Sequence, residues 1–385
     1  MKILLWAPFG AGTHYWGPGT SAYRLYKENK DEQVEVTLVH GSEEQENFPE
    51  VFKRQIRICQ LRKNSIFSTF YYLYNSYKWL YKNYHEYDVF HGITAYVYTF
   101  IPALIFKAFG KPAFIKVTGI HGGFENNGRI SRISGISTLR LKKANTLSGY
   151  ISISSDITAS LKRSGVEAKR IKYIPNGVDT KRFRPILCED KIALRKKMEI
   201  NDVFTICYVG GLTKNKRIIE IVKAVHQLKE KGVRIQFLIV GPDRSGQIVE
   251  NEIENYIKAY DLHDCCLRIH HTTQPEVYFN VSDLFILNSE FEGLSNSLLE
   301  AMACGLPCVA TPASGTVDLI EDDINGCFTD GTFDNICEKI LVLYNDKQLV
   351  SNMSNQARKK IIERFSVQYI LKEHIKLFED KDNYA

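Results

Sequence analysis

Apolar and polar positions alternate in blocks along this chain. In the first half the strand-like runs KILLWAPF, VEVTLVHG, YDVFHGI, PAFIKVTGIHG and GYISIS are separated by glycine-rich loops and by mixed segments such as SAYRLYKENK. A second series starts near Asp202 with FTICYVGG, RIQFLIVG, CCLRIH, DLFILNS, LPCVAT and NGCFTD. Between its first two runs lies RIIEIVKAVHQLKEK, in which Ile218, Val222, Val225 and Lys229 share one stripe, with Ile221 and Leu228 beside it. A stripe at the helical period predicts an amphipathic helix. Strands alternating with helices imply right-handed crossovers and a parallel sheet covered on both faces. The same α/β architecture is therefore predicted twice.

The turn-rich stretch IPNGVDTKRFRP, residues 174 to 185, combines Pro-Asn-Gly with a closing proline and marks the join. The predicted division is one domain over residues 1–180 and a second over 181–364. A length of 385 residues suits two domains, each able to bury its own core. Two such sheets joined by a short hinge leave a cleft at the carboxyl ends of their strands, where open α/β sheets bind ligands. The chemistry is expected there.

Composition narrows the class. With 44% apolar and 24% charged residues the chain is neither disordered nor fibrous. Nine cysteines form no C-x-x-C pair and no zinc spacing, and most lie in apolar runs such as TICYVG and AMACGLPCVA. Buried free thiols in a reducing cytoplasm are expected. The opening MKILLWAPFG is too short in its apolar part for a signal peptide and reads as a first strand. The longest apolar stretch, Ala95 to Phe106, ends at Lys107, short of the roughly 20 residues a spanning helix needs. Charge is unevenly divided: residues 1–185 carry 27 Lys and Arg against 14 Asp and Glu, residues 186–385 carry 23 against 30. The basic first half is expected to meet something anionic.

Three stretches carry candidate chemistry. In NSEFEGLSNSLLEAMACGLPCVATPASGTVDLI, residues 288 to 320, a strand ends at Glu290 to Glu292, Gly293-Leu294-Ser295 makes a turn, and a helix runs from about Asn296 until Gly305 and Pro307 stop it. Free backbone amides at that helix start suit a phosphate. Glu292 at the entrance and Glu300 on the helix, up to about 12 Å along its axis, can reach the two ends of an extended nucleotide-sugar. In CYVGGLTKNKR, residues 207 to 217, a strand runs into Gly210-Gly211 and then Lys214, Lys216 and Arg217 precede a helix. Cations and helix amides converge there. They suit a diphosphate leaving group that gains charge in the transition state, a role otherwise taken by a metal. No D-x-D pair stands at a strand end to hold one, so no metal is expected. The third stretch is the glycine loop GAGTHYWGPGTS, residues 10 to 21. It has Tyr15 where G-x-G-x-x-G needs glycine and lacks G-K-[ST], which disfavours an NAD fingerprint and a P-loop. His270 and His271 point to opposite faces of a strand with no third ligand, so they predict no zinc site.

Glu292 and Glu300, spaced E-x7-E inside EGLSNSLLEAMACGLPCVAT, stand in order with PNGVD at 175 to 179 and the glycine loop near the start. This combination resembles the retaining glycosyltransferases of family four across nearly the whole chain. That family has the GT-B fold, an α/β architecture of two Rossmann-like parallel-sheet domains facing a cleft. The resemblance implies an acceptor-side N-terminal domain, a C-terminal domain for a UDP- or GDP-sugar, and a final segment, residues 365–385, whose helix near Val367 to Glu379 packs back on the first domain. It implies Glu300 on the ribose hydroxyls, Glu292 with the amides of Gly293, Leu294 and Ser295 on the donor sugar, and Lys216 on the diphosphate. It also implies His121 near the transferred sugar, with Gly17 and Gly19 letting backbone approach phosphate. Gly211 departs from the family, which usually has arginine there, so the diphosphate falls to Lys216 with help from Arg217 or Lys214. The implied activity is metal-independent, retaining transfer to a glycan or lipid-linked acceptor in cell-surface polysaccharide synthesis. A GT-B nucleotide-sugar epimerase and a partner subunit that binds donor without transfer are the alternatives.

Residues 51 to 85 contain seven Lys and Arg and no Asp or Glu, with nine Tyr, Phe and Trp after Arg62. Cations beside interfacial aromatics suit an anionic membrane surface near a lipid-linked acceptor, hence a cytoplasmic protein peripheral on the inner face of the membrane. The other reading is a solvated basic helix covering the sheet, its aromatics in the core. Nucleic acid is not expected, because no binding module accompanies the charge.

Overall fold

The computed structural model describes residues 1–12, 17–43, 45–62, 65–119 and 142–380. These fall into two compact units, Met1–Gly177 with Val367–Ala385, and Val178–Ser366. Each is built on one parallel sheet, as the block pattern of the sequence predicts.

In the first unit the strands are β1 (Lys2–Trp6), β2 (Glu35–His40), β3 (Arg54–Arg57), β4 (Val89–Ile93), β5 (Ala113–Val117), β6 (Gly149–Ser152) and β7 (Ile171–Tyr173), in the order β3-β2-β1-β4-β5-β6-β7. Helices α1 (Gly17–Lys27), α2 (Ile66–Asn83), α3 (Val97–Ala108) and α4 (Ser155–Arg163) connect them. The second unit has β8 (Phe204–Val209), β9 (Ile235–Val240), β10 (Cys266–Ile269), β11 (Leu284–Leu287), β12 (Cys308–Ala310) and β13 (Cys327–Phe328), in the order β10-β9-β8-β11-β12-β13. Its helices are α5 (Cys188–Lys197), α6 (Ile218–Glu230), α7 (Ile248–Ala259), α8 (Pro275–Val281), α9 (Asn296–Ala303), α10 (Thr316–Leu319), α11 (Phe333–Asn345) and α12 (Lys347–Arg364). In both sheets the order reverses beside the first strand, between β1 and β4 and between β8 and β11. Crevices at such reversals are where doubly wound sheets bind ligands.

The predicted apolar runs correspond to every strand except β3 and β7. Those two are the edges of the first sheet, and none of their residues is fully buried. An edge strand is covered less than a central one, so RQIR and IKY show no apolar run.

A last helix, α13 (Val367–Glu379), returns to the first unit and packs against α1. Val367, Ile370, Leu371, Leu377 and Phe378 join Ile3, Leu5, Val89, Phe114 and Ile151 in one core cluster. At Gly177 a Cβ would lie 2.6 Å from the Val367 Cα, so only glycine lets the two strands of chain pass here. Beneath α13 the Tyr26 hydroxyl meets His91 Nδ1 at 2.6 Å, and the His91 and His374 rings lie 5.4 Å apart. Burial keeps both imidazoles neutral, pulling His374 down to about 3. Seven of the nine cysteines are buried and all are free.

Helix α2 departs from the simple core reading of residues 51 to 85. The segment is not one helix: Arg54 lies in β3 and pairs with Glu86 at 2.6 Å, and Lys53 lies 3.6 Å from Glu35. The helix proper is capped by Ser65, whose hydroxyl accepts from the Ser68 N–H. Its buried face consists of Thr69, Tyr72, Ser76 and Leu80. Of its three buried hydroxyls, two are satisfied within the helix, Thr69 on the Ser65 carbonyl at 2.8 Å and Ser76 on the Tyr72 carbonyl at 2.7 Å. Phe67, Phe70, Tyr71, Tyr74, Tyr77 and Tyr81 lie on the exposed face, with Phe67 89% exposed. Lys78 sits over the Tyr74 ring at 5.0 Å, Lys82 is exposed beside Tyr81, and the helix has no carboxylate. Among the described residues no helix is long and apolar enough to cross a membrane.

Candidate active site

The two stretches singled out in the second half emerge from neighbouring strands, β8 and β11, at the point where the strand order reverses. Sequence distance therefore becomes spatial contact: Lys216 and Glu292 come from separate loops and meet side by side. The loops are tied by the Glu290 N–H on the Asn215 carbonyl at 2.9 Å. The Lys216 ammonium forms an ion pair with Glu292 Oε1, and the Ser289 hydroxyl donates to the same oxygen at 3.0 Å. Both side chains are largely shielded, Lys216 19% and Glu292 14% exposed. Partial burial strengthens such a pair relative to a surface one and makes losing either partner costly.

Beyond Glu292 the chain turns through Gly293 and Leu294 into α9. Ser295 caps that helix, its hydroxyl accepting from the Leu298 N–H at 3.3 Å. The turn lies flat on Gly315, where a Cβ would be 2.1 Å from the Gly293 carbonyl oxygen. Among the described residues the N–H groups of Gly293, Leu294 and Ser295 donate to no protein acceptor. Three unspent amides at a helix start, beside a lysine, form a donor set suited to anionic or hydroxylic groups. Glu300 sits on α9 only 5% exposed, close enough to Cys304 for its carboxylate to add to the burial that pushes that thiol up.

Arg217 is committed differently from Lys216. It takes a left-handed conformation (φ 45°) at the start of α6 and turns its guanidinium onto Asn288, with Nε on the carbonyl and Nη2 on Oδ1, both at 3.2 Å. Asn288 in turn donates to the Gly331 carbonyl at 3.1 Å, and a Cβ on Gly331 would lie 2.2 Å from Arg217 Nη2. Sequence reasoning gave no role to Asn288, the first residue of the 288 to 320 stretch, or to Gly331, since the bond between them spans 43 residues. Lys214 is exposed and lines a cavity of about 530 Å³ with Glu220, Glu252 and Thr332. Gly211 is covered by the side chain of Arg244.

The remaining sequence candidates lie in the first unit. Gly17 opens α1 with nothing within 4 Å of where its Cβ would be, and Gly19, two residues on, is buried. His121 lies outside the described residues. Among the described residues no group of three or more His, Cys, Asp or Glu could hold a metal ion, and His270 meets Glu250 at 3.0 Å.

Comparison with known proteins adds the family. Residues 16–182 match the profile "Glycosyltransferase Family 4" and residues 190–360 match "Glycosyl transferases group 1". The chain is 29% identical over 201 residues to the capsular polysaccharide biosynthesis glycosyltransferase CapM of Staphylococcus aureus, covering 51% of each protein. It is 25% identical over 209 residues to an Escherichia coli UDP-Gal:alpha-D-GlcNAc-diphosphoundecaprenol alpha-1,3-galactosyltransferase, covering 54% of this chain and 53% of that one. The matches thus span about half the length of these curated relatives. Anabaena Alr3699/HepE, solved in complex with UDP and glucose, superposes with a TM-score of 0.79 over 99% of this chain and 100% of its own at 18% identity, a likeness of fold. Two glycosyltransferase profiles cover both units in the order that the motifs predict, and the chain belongs to the family-four glycosyltransferases, with the GT-B fold.

Proposed function

We propose that the protein transfers a sugar from a UDP- or GDP-sugar to a glycan or lipid-linked acceptor in cell-surface polysaccharide synthesis. The observation that carries this reading is the shielded Lys216–Glu292 pair beside the unspent amides of Gly293, Leu294 and Ser295. In this reading Lys216 takes the diphosphate, Glu292 and the amides hold the sugar hydroxyls, and the carboxylate of Glu300 accepts from the ribose. Negative charge grows on the leaving diphosphate as the glycosidic bond breaks, and a fixed cation with oriented N–H groups stabilises it without reorganising. Retention follows from front-face attack assisted by the departing phosphate.

The test is acceptor-dependent release of nucleotide from UDP- and GDP-sugars, with the anomeric configuration of the product read by NMR. Release should persist in EDTA; loss on chelation with recovery on Mg²⁺ or Mn²⁺ sinks the metal-free mechanism. Interconversion of the sugar without acceptor indicates an epimerase, and binding without turnover indicates a partner subunit.

The acceptor side of this reading is a membrane surface. The outward ridge of α2 supports it: six exposed aromatic side chains alternate with Lys78 and Lys82 and no carboxylate interrupts them. Aromatic rings favour the headgroup zone, and lysines favour anionic lipid. The protein should sediment with anionic but not zwitterionic liposomes and be released by salt, since screening weakens the lysine contribution. Replacing Phe67, Phe70 and Tyr74 by Ser, with Lys78 and Lys82 by Gln, should abolish sedimentation and leave nucleotide binding intact. Sedimentation indifferent to salt and to these changes removes the membrane from the proposal.

A further inference from the structure

Around the ends of β8 and β9 three cations are already engaged. Lys216 is held by Glu292, and Arg217 by Asn288. Arg268 is held by Glu250 at 2.9 Å and by the carbonyls of Ile239 and Ile269. Lys214, whose ammonium makes no hydrogen bond or ion pair among the described residues, lines a cavity with the carboxylates of Glu220 and Glu252. The exposed guanidinium of Arg244 likewise makes none, and it lies instead across Gly211.

Its backbone is nevertheless fixed. The pairing of β8 with β9 continues past the strand ends, with the Leu212 N–H on the Pro242 carbonyl and the Arg244 N–H on the Leu212 carbonyl, both at 2.9 Å. Asp243 secures the loop from within by accepting from the Ser245 N–H at 3.1 Å and the Ser245 hydroxyl at 2.6 Å. From this anchored position the Arg244 side chain runs across Gly211. A Cβ on Gly211 would lie 2.8 Å from Arg244 Cδ, 3.2 Å from Nε and 3.3 Å from Cγ. The backbone of Gly211 is not in the left-handed region, so the glycine supplies space there and not torsional freedom. The Tyr208 hydroxyl donates to the Gly211 carbonyl at 2.9 Å. That buried phenol, raised chiefly by desolvation, also feels the carboxylate of Glu292 and the guanidinium of Arg244, which puts both charges within electrostatic reach of one atom.

We propose that Gly211 and Arg244 act as a coupled pair: the missing side chain at 211 lets the Arg244 guanidinium lie across the end of β8, where it binds the diphosphate of the nucleotide donor. The inference rests on the donor-site reading above and adds to it a ligand from a loop outside both charged motifs. A guanidinium presents a planar fork that matches two phosphate oxygens, and an exposed one without internal partners loses no protein bond on engaging them.

Calorimetric titration with UDP, GDP and UMP tests the pair in full-length protein, with thermal melting to verify folding. Arg244→Ala should weaken nucleoside diphosphate binding about 10- to 100-fold and UMP binding much less, the range of a charged hydrogen bond. Arg244→Lys, which keeps the charge without the fork, should fall between. Gly211→Ala should produce a similar loss by displacing the guanidinium, and in the Arg244→Ala background it should produce none, because contacting residues are not additive. Equal losses for UDP and UMP, or no loss, overturn the assignment to the diphosphate. Full additivity overturns the coupling. Wild-type protein that binds neither UDP nor GDP overturns the donor-site reading itself, an outcome distinct from both.

Discussion

Lys216→Ala is expected to lower kcat by about 10²- to 10³-fold while donor affinity changes far less, the range seen when one preorganised charge stabiliser is removed. The lysine is 19% exposed and already faces a carboxylate, so in the ground state its charge is shared between Glu292 and any bound diphosphate. In the transition state the leaving phosphate carries more negative charge and draws the ammonium more strongly. An interaction that strengthens along the reaction raises kcat more than it tightens binding. The substitution also strands Glu292 with only the Ser289 hydroxyl. Thermal melting of the Lys216→Ala variant measures this side effect: lowered turnover at near wild-type stability assigns the loss to the missing ammonium. Equal losses in kcat and donor Kd, measured by steady-state kinetics and calorimetry, reduce Lys216 to a binding residue.

The second large effect belongs to Glu300. Glu300→Gln should weaken UDP or GDP binding about 10- to 100-fold, the scale of hydrogen bonds to a charged acceptor. A carboxylate accepts two ribose hydroxyls at once, whereas an amide offers one acceptor and a mismatched donor. The side chain is 5% exposed on a helix that the turn with the unspent amides leads into, so affinity has to be read together with thermal stability. A stable variant with unchanged affinity for both nucleotides refutes the assignment.

The architecture was legible from local pattern because central parallel strands are buried on both faces and show as apolar runs. KILLW, FTICYV and IQFLIV could hardly be anything else in this alternation. β3 and β7 escaped because edge strands are covered less and RQIR has no apolar run. The motif stretches were legible for a related reason: a loop leaving a strand and entering a helix has a local signature in glycine, lysine and the capping Ser295. That Lys216 and Glu292 would face each other follows from β8 and β11 being neighbours, a fact of sheet order and not of spacing.

Helix α2 marks the boundary most clearly. Its composition announced cations and aromatics, and its 3.6-residue period could assign them to faces, but not say which face meets the sheet. The fold buried Thr69, Tyr72, Ser76 and Leu80 and left six aromatic rings in solvent, the reverse of what hydrophobicity alone favours. Small hydroxyl side chains can sit close against a neighbouring element and return their hydrogen bonds to their own helix, as Thr69 and Ser76 do. Likewise Arg217 and Lys216 are adjacent in sequence and equal in charge, yet one is engaged by Asn288 and the other by Glu292. Residue type and local period establish which elements form and which groups are available. Which partner each group meets, and hence which charges remain unspent, is decided by contacts between residues remote in sequence, where shape and strand order select among chemically equivalent choices.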